Sequence, residues 1–377
     1  AFSSCSSLSE ISIPSTVQEF YSGAFYECDN LTSVDFRGSL EQWCTISFAE
    51  GWSSSNEPAN PVTFAKSLKL NGKTLTNAVI PGTVTKINSY AFYNCESLTN
   101  VTISDSVTVI GDYAFVGCTG LENITLSQNL TELGVYAFKN CSSLSGTIVI
   151  PDGVTEIPDQ AFYGCKKLEG ITLGNKVTSI GNSAFYGCSS LESINLPESV
   201  TAISRAAFAQ CSALTGTIII PNGITEIEPN TFNNCKSISA VNIPNSVVTI
   251  GENAFMYCDS ISSLEIPDSV TTIGDSAFMG SPDKGTTKSL TTVTIGSGVS
   301  RIGHLAFSNQ LNLKNVTFAD TESVWYFYSA LQTVPNYDYT NGTEIGAMGA
   351  TDTAENATKL KSTYSAGYLY NSNYQAD

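Results

Sequence analysis

The cysteines are the residues that could most readily bind a metal or form covalent cross-links, and this 377-residue sequence has 11 of them. All except Cys44 lie three positions after a phenylalanine, at residues 5, 28, 95, 118, 141, 165, 188, 211, 235 and 258. No Cys-x-x-Cys pair occurs, and equivalent side chains in a repeat point in parallel rather than toward one another. We therefore expect buried free thiols that pack as small apolar residues, with no metal, cofactor or disulfide framework.

Nucleophilic and hydrolytic chemistry has few candidate residues. His304 is the only histidine, so a Ser-His-Asp or Cys-His device has a single possible base. Equivalent positions elsewhere hold Asp112 or Asp275, which favours a surface position at the start of a short helix for His304. A glycan-cleaving solenoid needs a local group of carboxylates on one strand face, and the sequence displays none. We expect no enzymatic activity.

Two tracts bear a weak likeness to ligand-binding loops. Asn336–Gly342 has the Asn and Asp residues of a calcium loop, but its glycine is one position late and the closing glutamate is missing. Gly280–Lys288 lacks the Gly-Lys-Ser/Thr of a phosphate loop, so we interpret it as a surface loop.

The charge balance excludes two classes of partner. Asp and Glu number 34 against 17 Lys and Arg, which gives a net charge of -17. Such a chain repels nucleic acid and anionic membranes, and no apolar run is long enough to insert into a bilayer. Because Ala1 falls within a repeat, we expect the natural protein to extend N-terminally and to carry any targeting signal there.

A repeat of 23 to 24 residues sets the positions of these side chains. It is marked by an Ala-Phe pair, Thr-Phe in one copy, and only two insertions lengthen the spacing. The marker phenylalanines are Phe2, Phe25, Phe92, Phe115, Phe138, Phe162, Phe185, Phe208, Phe232, Phe255, Phe278 and Phe307.

Each repeat contains a short alternating segment, for example Leu98-x-x-Val101-x-Ile103. The alternation predicts a strand with Val101 and Ile103 inward and Thr102 outward, and it matches the strand signature of leucine-rich repeats. The outward column is a ladder rich in threonine and amide residues that could meet a ligand. Its candidate binding residues are Asp35, Thr102, Thr125, Thr172, Asn195, Asn242 and Glu265.

The rest of the repeat turns the chain back on itself. A turn that often contains proline is followed by a second extended piece, then by a glycine such as Gly111, for which we expect a positive φ angle. Asp112 is suited to cap a one- or two-turn helix that carries Ala114 and Phe115. The predicted fold is an α/β repeat solenoid: a right-handed leucine-rich-repeat superhelix with a parallel β-sheet, short second strands and short helical turns.

Residues 266–278, Ile-Pro-Asp-Ser-Val-Thr-Thr-Ile-Gly-Asp-Ser-Ala-Phe, carry a more specific resemblance. They are similar to the repeat of the BspA-like leucine-rich repeat family, I-P-x-S-V-T-x-I-G-x-x-A-F-x-x-C-x-x-L-x-x-V. The resemblance covers about residues 1–37 and 75–319, and it departs from the pattern at Ser281, where the family has cysteine. It implies a secreted or cell-surface protein, often an adhesin-like binder of host or matrix proteins, without identifying a ligand.

Residues 38–74 interrupt the array. Asn71-Gly72 between apolar residues predicts a β-hairpin. The aromatic residues of the insertion have two interpretations: they cover an irregular part of the core, which we favour, or they contact a ligand, with Trp52 as the candidate.

We predict a single solenoid domain over residues 1–377. It comprises repeats at 1–37, the insertion at 38–74, repeats at 75–319 and a C-terminal cap at 320–377, whose many tyrosines could alternatively stack on carbohydrate. Leu144–Ile150 and Leu214–Ile220 each hold one extra residue before the strand, which predicts a small bulge there.

These observations favour a non-enzymatic, monomeric module at the cell surface or outside the cell that binds a host or matrix protein or a glycan. Two alternatives remain: a structural spacer or stalk of a larger surface protein, and, with less support, a polysaccharide-active enzyme.

Overall fold

A computed structural model describes residues 1–50, 58–282, 289–329, 343–347, 353–363 and 367–371. Its chain divides into two compact units, Ala1–Leu191 (unit 1) and Glu192–Asp377 (unit 2). Each is a solenoid of stacked coils with two rows of parallel strands, so the predicted repeat fold is confirmed. The assignment of all 377 residues to one domain stays a prediction.

Unit 1 contains sixteen strands and two short helices in its described part. In chain order they are β1 (Glu10–Pro14), β2 (Glu19–Phe20), β3 (Ser33–Arg37), α1 (Leu40–Thr45), β4 (Ser47–Phe48), α2 (Val62–Ala65), β5 (Leu68–Leu70), β6 (Lys73–Thr74), β7 (Asn77–Ile80), β8 (Lys86–Ile87), β9 (Asn100–Ile103), β10 (Val109–Ile110), β11 (Asn123–Thr125), β12 (Glu132–Leu133), β13 (Gly146–Val149), β14 (Glu156–Ile157), β15 (Leu168–Thr172) and β16 (Ser179–Ile180).

The strands of unit 1 pair in parallel, coil upon coil. The first strands form the ladders β1-β3-β5, β7-β9-β11 and β13-β15, and the second strands form β2-β4, β8-β10-β12 and β14-β16. Equivalent residues face each other, as Val101 faces Ile124 and Thr102 faces Thr125. This register keeps every apolar column continuous and inward, which is why the period-two alternation correctly predicted the buried face.

The repeat phenylalanines form the centre of each unit. Neighbouring rings from Phe92 to Phe185 lie 5.1 to 5.5 Å apart between centroids, and those from Phe208 to Phe307 lie 5.3 to 5.5 Å apart. None of these side chains is more than 2% exposed. Burying one such side chain stabilises the fold by about 1.5–3 kcal/mol, and that gain requires the next coil to be present.

The Ala-Phe segment is a series of tight turns, so the expected one- or two-turn helix is absent from the described repeats. In one coil the N–H groups of Tyr113 and Phe115 donate to carbonyl oxygens of the next coil, at 2.9 and 2.8 Å. A helix would use those donors within its own coil. Here every second donor bonds between coils, which extends the backbone ladder around this side of the solenoid.

Two roles expected around this turn are corrected. The positive φ belongs to Tyr113 (φ 57°), whereas Gly111 has no positive φ and is required for space: a Cβ there would lie 2.5 Å from the backbone nitrogen of Ser89. Asp112 does not cap a helix, because its Oδ1 accepts a hydrogen bond from the N–H of Val135 in the next coil at 2.8 Å.

The insertion contributes to the core of unit 1. Strands β5 and β6 form the predicted hairpin, with Asn71 and Gly72 at φ angles of 51° and 83°. The indole N–H of Trp43 donates to the carbonyl oxygen of Ala91 at 2.8 Å, and Trp43 and Phe48 are buried. The core-covering interpretation is confirmed for these two aromatic residues.

Unit 2 is built from the same coil and ends in an antiparallel sheet. Its elements are β17 (Ser193–Asn195), β18 (Ala202–Ile203), β19 (Gly216–Ile219), β20 (Glu226–Ile227), β21 (Ile238–Asn242), β22 (Thr249–Ile250), β23 (Ser263–Ile266), β24 (Thr272–Ile273), β25 (Thr292–Ile295), β26 (Arg301–Ile302), β27 (Asn315–Phe318), β28 (Val324–Ser329), β29 (Thr343–Ala347), α3 (Thr353–Thr358), a π-helical turn (Lys359–Thr363) and β30 (Gly367–Asn371).

The two expected bulges occur, with the extra residue on the partner strand. Between Gly146 and Thr147 the partner of β13 changes from Leu168 to Gly170, so Glu169 is unpaired in that ladder. The equivalent shift in unit 2 falls between Gly216 and Thr217.

The C-terminal tract covers the last coils of unit 2. Strand β30 pairs antiparallel with β26 and β28, and β28 pairs with β29. Trp325 is 1% exposed and packs edge-on against Phe318, with ring centroids 5.4 Å apart. The described part of the tract therefore buries apolar surface that the last repeat would otherwise expose.

Candidate binding surface

The outward side chains of the first strands form a row along unit 1. Thr102, Thr125 and Thr172 are exposed in this row, and they face neighbours in strict register. Two apolar members, Val79 and Val149, are 69% and 51% exposed. The row is thus a mixed surface of hydroxyl and methyl groups that the fold itself leaves uncovered.

An amide ladder runs beside this row. The side-chain amide of Asn100 donates to Oδ1 of Asn77 at 2.7 Å, and that of Asn123 donates to Oδ1 of Asn100 at 3.0 Å. These bonds hold the exposed edge of the sheet in a fixed geometry, so the threonine hydroxyls are presented at the spacing of the coils.

Two other predicted site residues lie apart from the exposed threonines. Asp35 is 9% exposed; its Oδ2 lies 2.9 Å from Arg37 Nη2, and its Oδ1 accepts from the N–H of Gly72 at 2.9 Å. Both of its oxygens are thus already engaged by neighbouring groups. Trp52 lies outside the described residues.

In unit 2 the outward side chains of the first strands line a groove of about 800 Å³. Two predicted residues, Asn242 and Glu265, line it on strands β21 and β23, and both are exposed. Ile219 lies in the same row and is 58% exposed. Asn195 is also exposed on β17, but it is not among the lining residues.

A second column that sequence reasoning overlooked forms the rim of this groove. Its members are the residues that follow the turn prolines, and all four are exposed. They are Glu198, Asn222, Asn245 and Asp268. Residues of these types are frequent in turns, so the sequence indicated only that they help to form the turn. Their regular spacing of 23 or 24 residues was the signal that could have identified them as a surface column.

Hydrogen bonds between coils hold the rim carboxylates. Oδ1 of Asp268 accepts from the N–H of Ser297 at 2.7 Å, and this bond lowers the pKa of the Asp268 carboxyl below its ordinary value. Oε2 of Glu198 accepts from the side-chain amide of Asn222 at 3.3 Å. Asp268 is therefore negatively charged at neutral pH and is held in position by the next coil.

The cysteines lie away from this surface. Cys5 is exposed, and the other cysteines are buried free thiols. Column thiols donate to a carbonyl oxygen of the preceding coil, as Cys188 Sγ does to the oxygen of Phe162 at 3.2 Å. Burial raises the pKa of Cys188 to about 12, so the thiol stays protonated. Among the described residues, no group of three or more His, Cys, Asp or Glu side chains is arranged to hold a metal ion.

His304 lies beside the C-terminal strand. Its ring centroid is 6.0 Å from that of Tyr368, and its backbone N–H donates to Oδ1 of Asp275 at 3.2 Å. It does not start a helix, because the Ala-Phe segment that follows forms turns. Within the described ranges no helix has the length and apolar character needed to cross a membrane.

Comparison with models of protein families shows to which family this repeat belongs. A model of the BspA type leucine-rich repeat region matches residues 1–95, 63–173, 155–284 and 214–329, which together span most of the chain. The chain belongs to the BspA-type leucine-rich repeat family. Leucine-rich repeat proteins typically bind other proteins and are generally non-enzymatic.

Several solved structures are similar to this BspA-type chain. A leucine-rich repeat protein from Bacteroides ovatus is 27% identical over 84% of this chain and 80% of its own, with a TM-score of 0.57. A leucine-rich repeat protein from Eubacterium ventriosum has 21% identity over 87% and 86%, with a TM-score of 0.52. A leucine rich cell surface protein from Faecalibacterium prausnitzii has 28% identity over 65% and 88%, with a TM-score of 0.35. No curated protein matches this chain by sequence.

Proposed function

We propose that this BspA-type chain is an extracellular or cell-surface module that binds a protein partner and acts in adhesion as a monomer. The observation that carries the proposal is the exposed outward row, which in unit 2 borders a groove lined by Asn242 and Glu265. A surface repeated at every coil makes many weak contacts with an extended partner, a mode suited to solenoids.

The state of the cysteines is compatible with a location outside the cell. Free thiols persist in an oxidising compartment only when oxidants and other thiols cannot reach them. The ten buried thiols of this chain meet that condition, since only Cys5 is exposed. Antibody labelling of intact, unpermeabilised cells tests the location; labelling that requires permeabilisation would contradict it.

The binding function is tested with purified matrix proteins and a glycan array probed with the whole chain. The double variant Asn242→Ala/Glu265→Ala should weaken capture, because both side chains lie on the proposed contact surface. The control is Glu226→Ala/Thr225→Ala, which alters exposed residues outside the groove lining in the same unit.

Two outcomes would contradict the proposal. Capture of no purified protein or glycan above background would leave the chain without a binding function. Full activity of the Asn242→Ala/Glu265→Ala variant in a cell-adhesion assay would instead favour a spacer, whose surface row is unimportant. Light scattering of the purified chain tests the monomeric state.

A further inference from the structure

The groove of unit 2 carries carboxylates in two of its coils, three coils apart. Its lining includes Glu198, Glu265 and Asp268, and none of its lining residues is lysine or arginine. In the described part of the chain no cationic side chain forms an ion pair with any of the three. A concave surface lined by one sign of charge concentrates its field, so this groove attracts cationic groups.

The groove also offers apolar contact. Ile219 is 58% exposed and lies one coil beyond Glu198 and two coils before Glu265. Lysine and arginine side chains place their methylene stems on such surfaces while the charged group reaches a carboxylate. The lining therefore matches both parts of a long basic side chain.

The spacing of the carboxylates restricts the ligand further. Glu198 and Asp268 occupy the same column three coils apart, which corresponds to about 14 Å at a strand separation of about 4.8 Å. An extended peptide advances about 3.3 Å per residue, so side chains at positions i and i+4 lie on one face about 13 Å apart. Two basic residues at that separation can each meet one carboxylate.

We propose that this groove binds an extended peptide segment of a protein partner, with lysine or arginine at positions i and i+4 and an apolar residue between them. The proposal rests on the protein-binding function proposed above and specifies the chemistry of the partner. Nucleic acid, anionic lipid and a second copy of this acidic chain are repelled by the same charges. No aromatic residue lines the groove to stack on a sugar ring.

Fluorescence anisotropy of the intact chain with a labelled peptide of sequence GKTITKG tests the proposal. We expect saturable binding that weakens as salt is raised from about 0.05 M to about 0.5 M. Glu198→Gln/Asp268→Asn should weaken binding about tenfold, because the two charges at that spacing are removed with little change of shape. The matched control is Glu132→Gln/Glu156→Gln, which removes two exposed charges from unit 1 and should leave binding unchanged.

Further peptides separate spacing from charge. GKKTITG has the same composition with adjacent lysines and should bind more weakly, whereas GETITEG should not bind. The proposal would be overturned if both double variants lost the same amount of affinity for GKTITKG, or if the two lysine peptides bound equally well. Either result would indicate unspecific charge attraction.

Other occupants give distinct results. Binding of calcium or of a neutral oligosaccharide at these residues, without binding of GKTITKG, would also overturn the proposal. The protein-binding function is judged separately: if a purified matrix protein is captured equally by the wild type and by Glu198→Gln/Asp268→Asn, that function stands and the peptide groove is wrong.

Discussion

The phenolic O–H of Tyr368 donates a hydrogen bond to Oδ2 of Asp275 at 3.2 Å, across 93 positions of sequence. The other oxygen of Asp275 lies 3.3 Å from Nη2 of Arg301, whose guanidinium lies over the Tyr368 ring, 5.4 Å from its centroid. Asp275 occupies the column in which the carboxylates of Asp112 and Asp159 accept hydrogen bonds from the next coil only. Here the same carboxylate also holds the C-terminal strand β30 against the last coils.

Asp275→Ala should therefore loosen β30. The substitution removes an acceptor shared by Tyr368, Arg301 and the N–H of His304, which should cost about 1–3 kcal/mol. We expect faster amide hydrogen exchange in residues 367–371. Asp159→Ala removes the equivalent coil bond to Asn182 without touching the cap, so exchange there should stay unchanged. Equal effects of the two variants on residues 367–371 would contradict the role of Asp275.

Gly111→Ala should destabilise unit 1 although no positive φ is involved. The added Cβ would lie 2.5 Å from the nitrogen of Ser89 and 2.9 Å from the carbonyl carbon of Asn88. Two coils would have to separate, at a cost of about 1–3 kcal/mol measured by urea denaturation. Gly82→Ala is the control, because a Cβ added at Gly82 would have no described atom within 4 Å and the change should be neutral or slightly stabilising. Similar losses in both variants would mean that coil spacing is not the cause.

Phe115→Ala should be among the most damaging single changes. Phe115 is fully buried, and its ring is 5.1 Å from that of Phe92 and 5.3 Å from that of Phe138. The cavity should cost about 3–5 kcal/mol in the free energy of unfolding. Phe2→Ala should cost far less, since Phe2 is 38% exposed. A small loss for Phe115→Ala would show that the coils relax to fill the space.

The buried thiols should be almost unreactive in the folded chain. Burial raises the pKa of Cys44, Cys95 and Cys235 to about 12, so the reactive thiolate is scarce as well as inaccessible. Titration with a thiol reagent should detect only Cys5 quickly and all cysteines in denaturant. Cys5→Ser should abolish the fast phase, and fast labelling that persists in this variant would contradict the burial of the column.

Alkaline pH should destabilise the fold through these same groups. The pKa of Cys188 rises from 9.0 to about 12 on folding, so its stabilising effect is complete below about pH 9 and is lost as pH rises toward about 12. Each such thiol contributes a slope of up to about 1.4 kcal/mol per pH unit in that window. Cys188→Ser should flatten the decline of unfolding free energy above about pH 9 and leave the slope near neutrality unchanged. If the unfolding free energies of the wild type and of Cys188→Ser fall equally steeply above about pH 9, the Cys188 thiol makes no such contribution.

Much of the fold was determined by the sequence alone. Inward columns such as Val101, Ile103 and Phe115 recur at fixed spacing because each must meet its equivalent in the next coil, so spacing alone predicts the parallel register. The hairpin at Asn71-Gly72 was predictable for a local reason, since those residue types adopt the backbone angles of the turn without tertiary help.

Only the tertiary structure decided what happens between coils. Three features depend on a neighbour 22 or more positions away in the sequence. They are the approach of Gly111 to Ser89, the positive φ of Tyr113 and the bond from Val135 to Asp112. A local sequence pattern does not predict such contacts. The same holds for the candidate surface. The outward row was visible in the alternation, but the groove exists because turn residues such as Glu198 and strand residues such as Glu265, three coils apart, line one surface when coils stack.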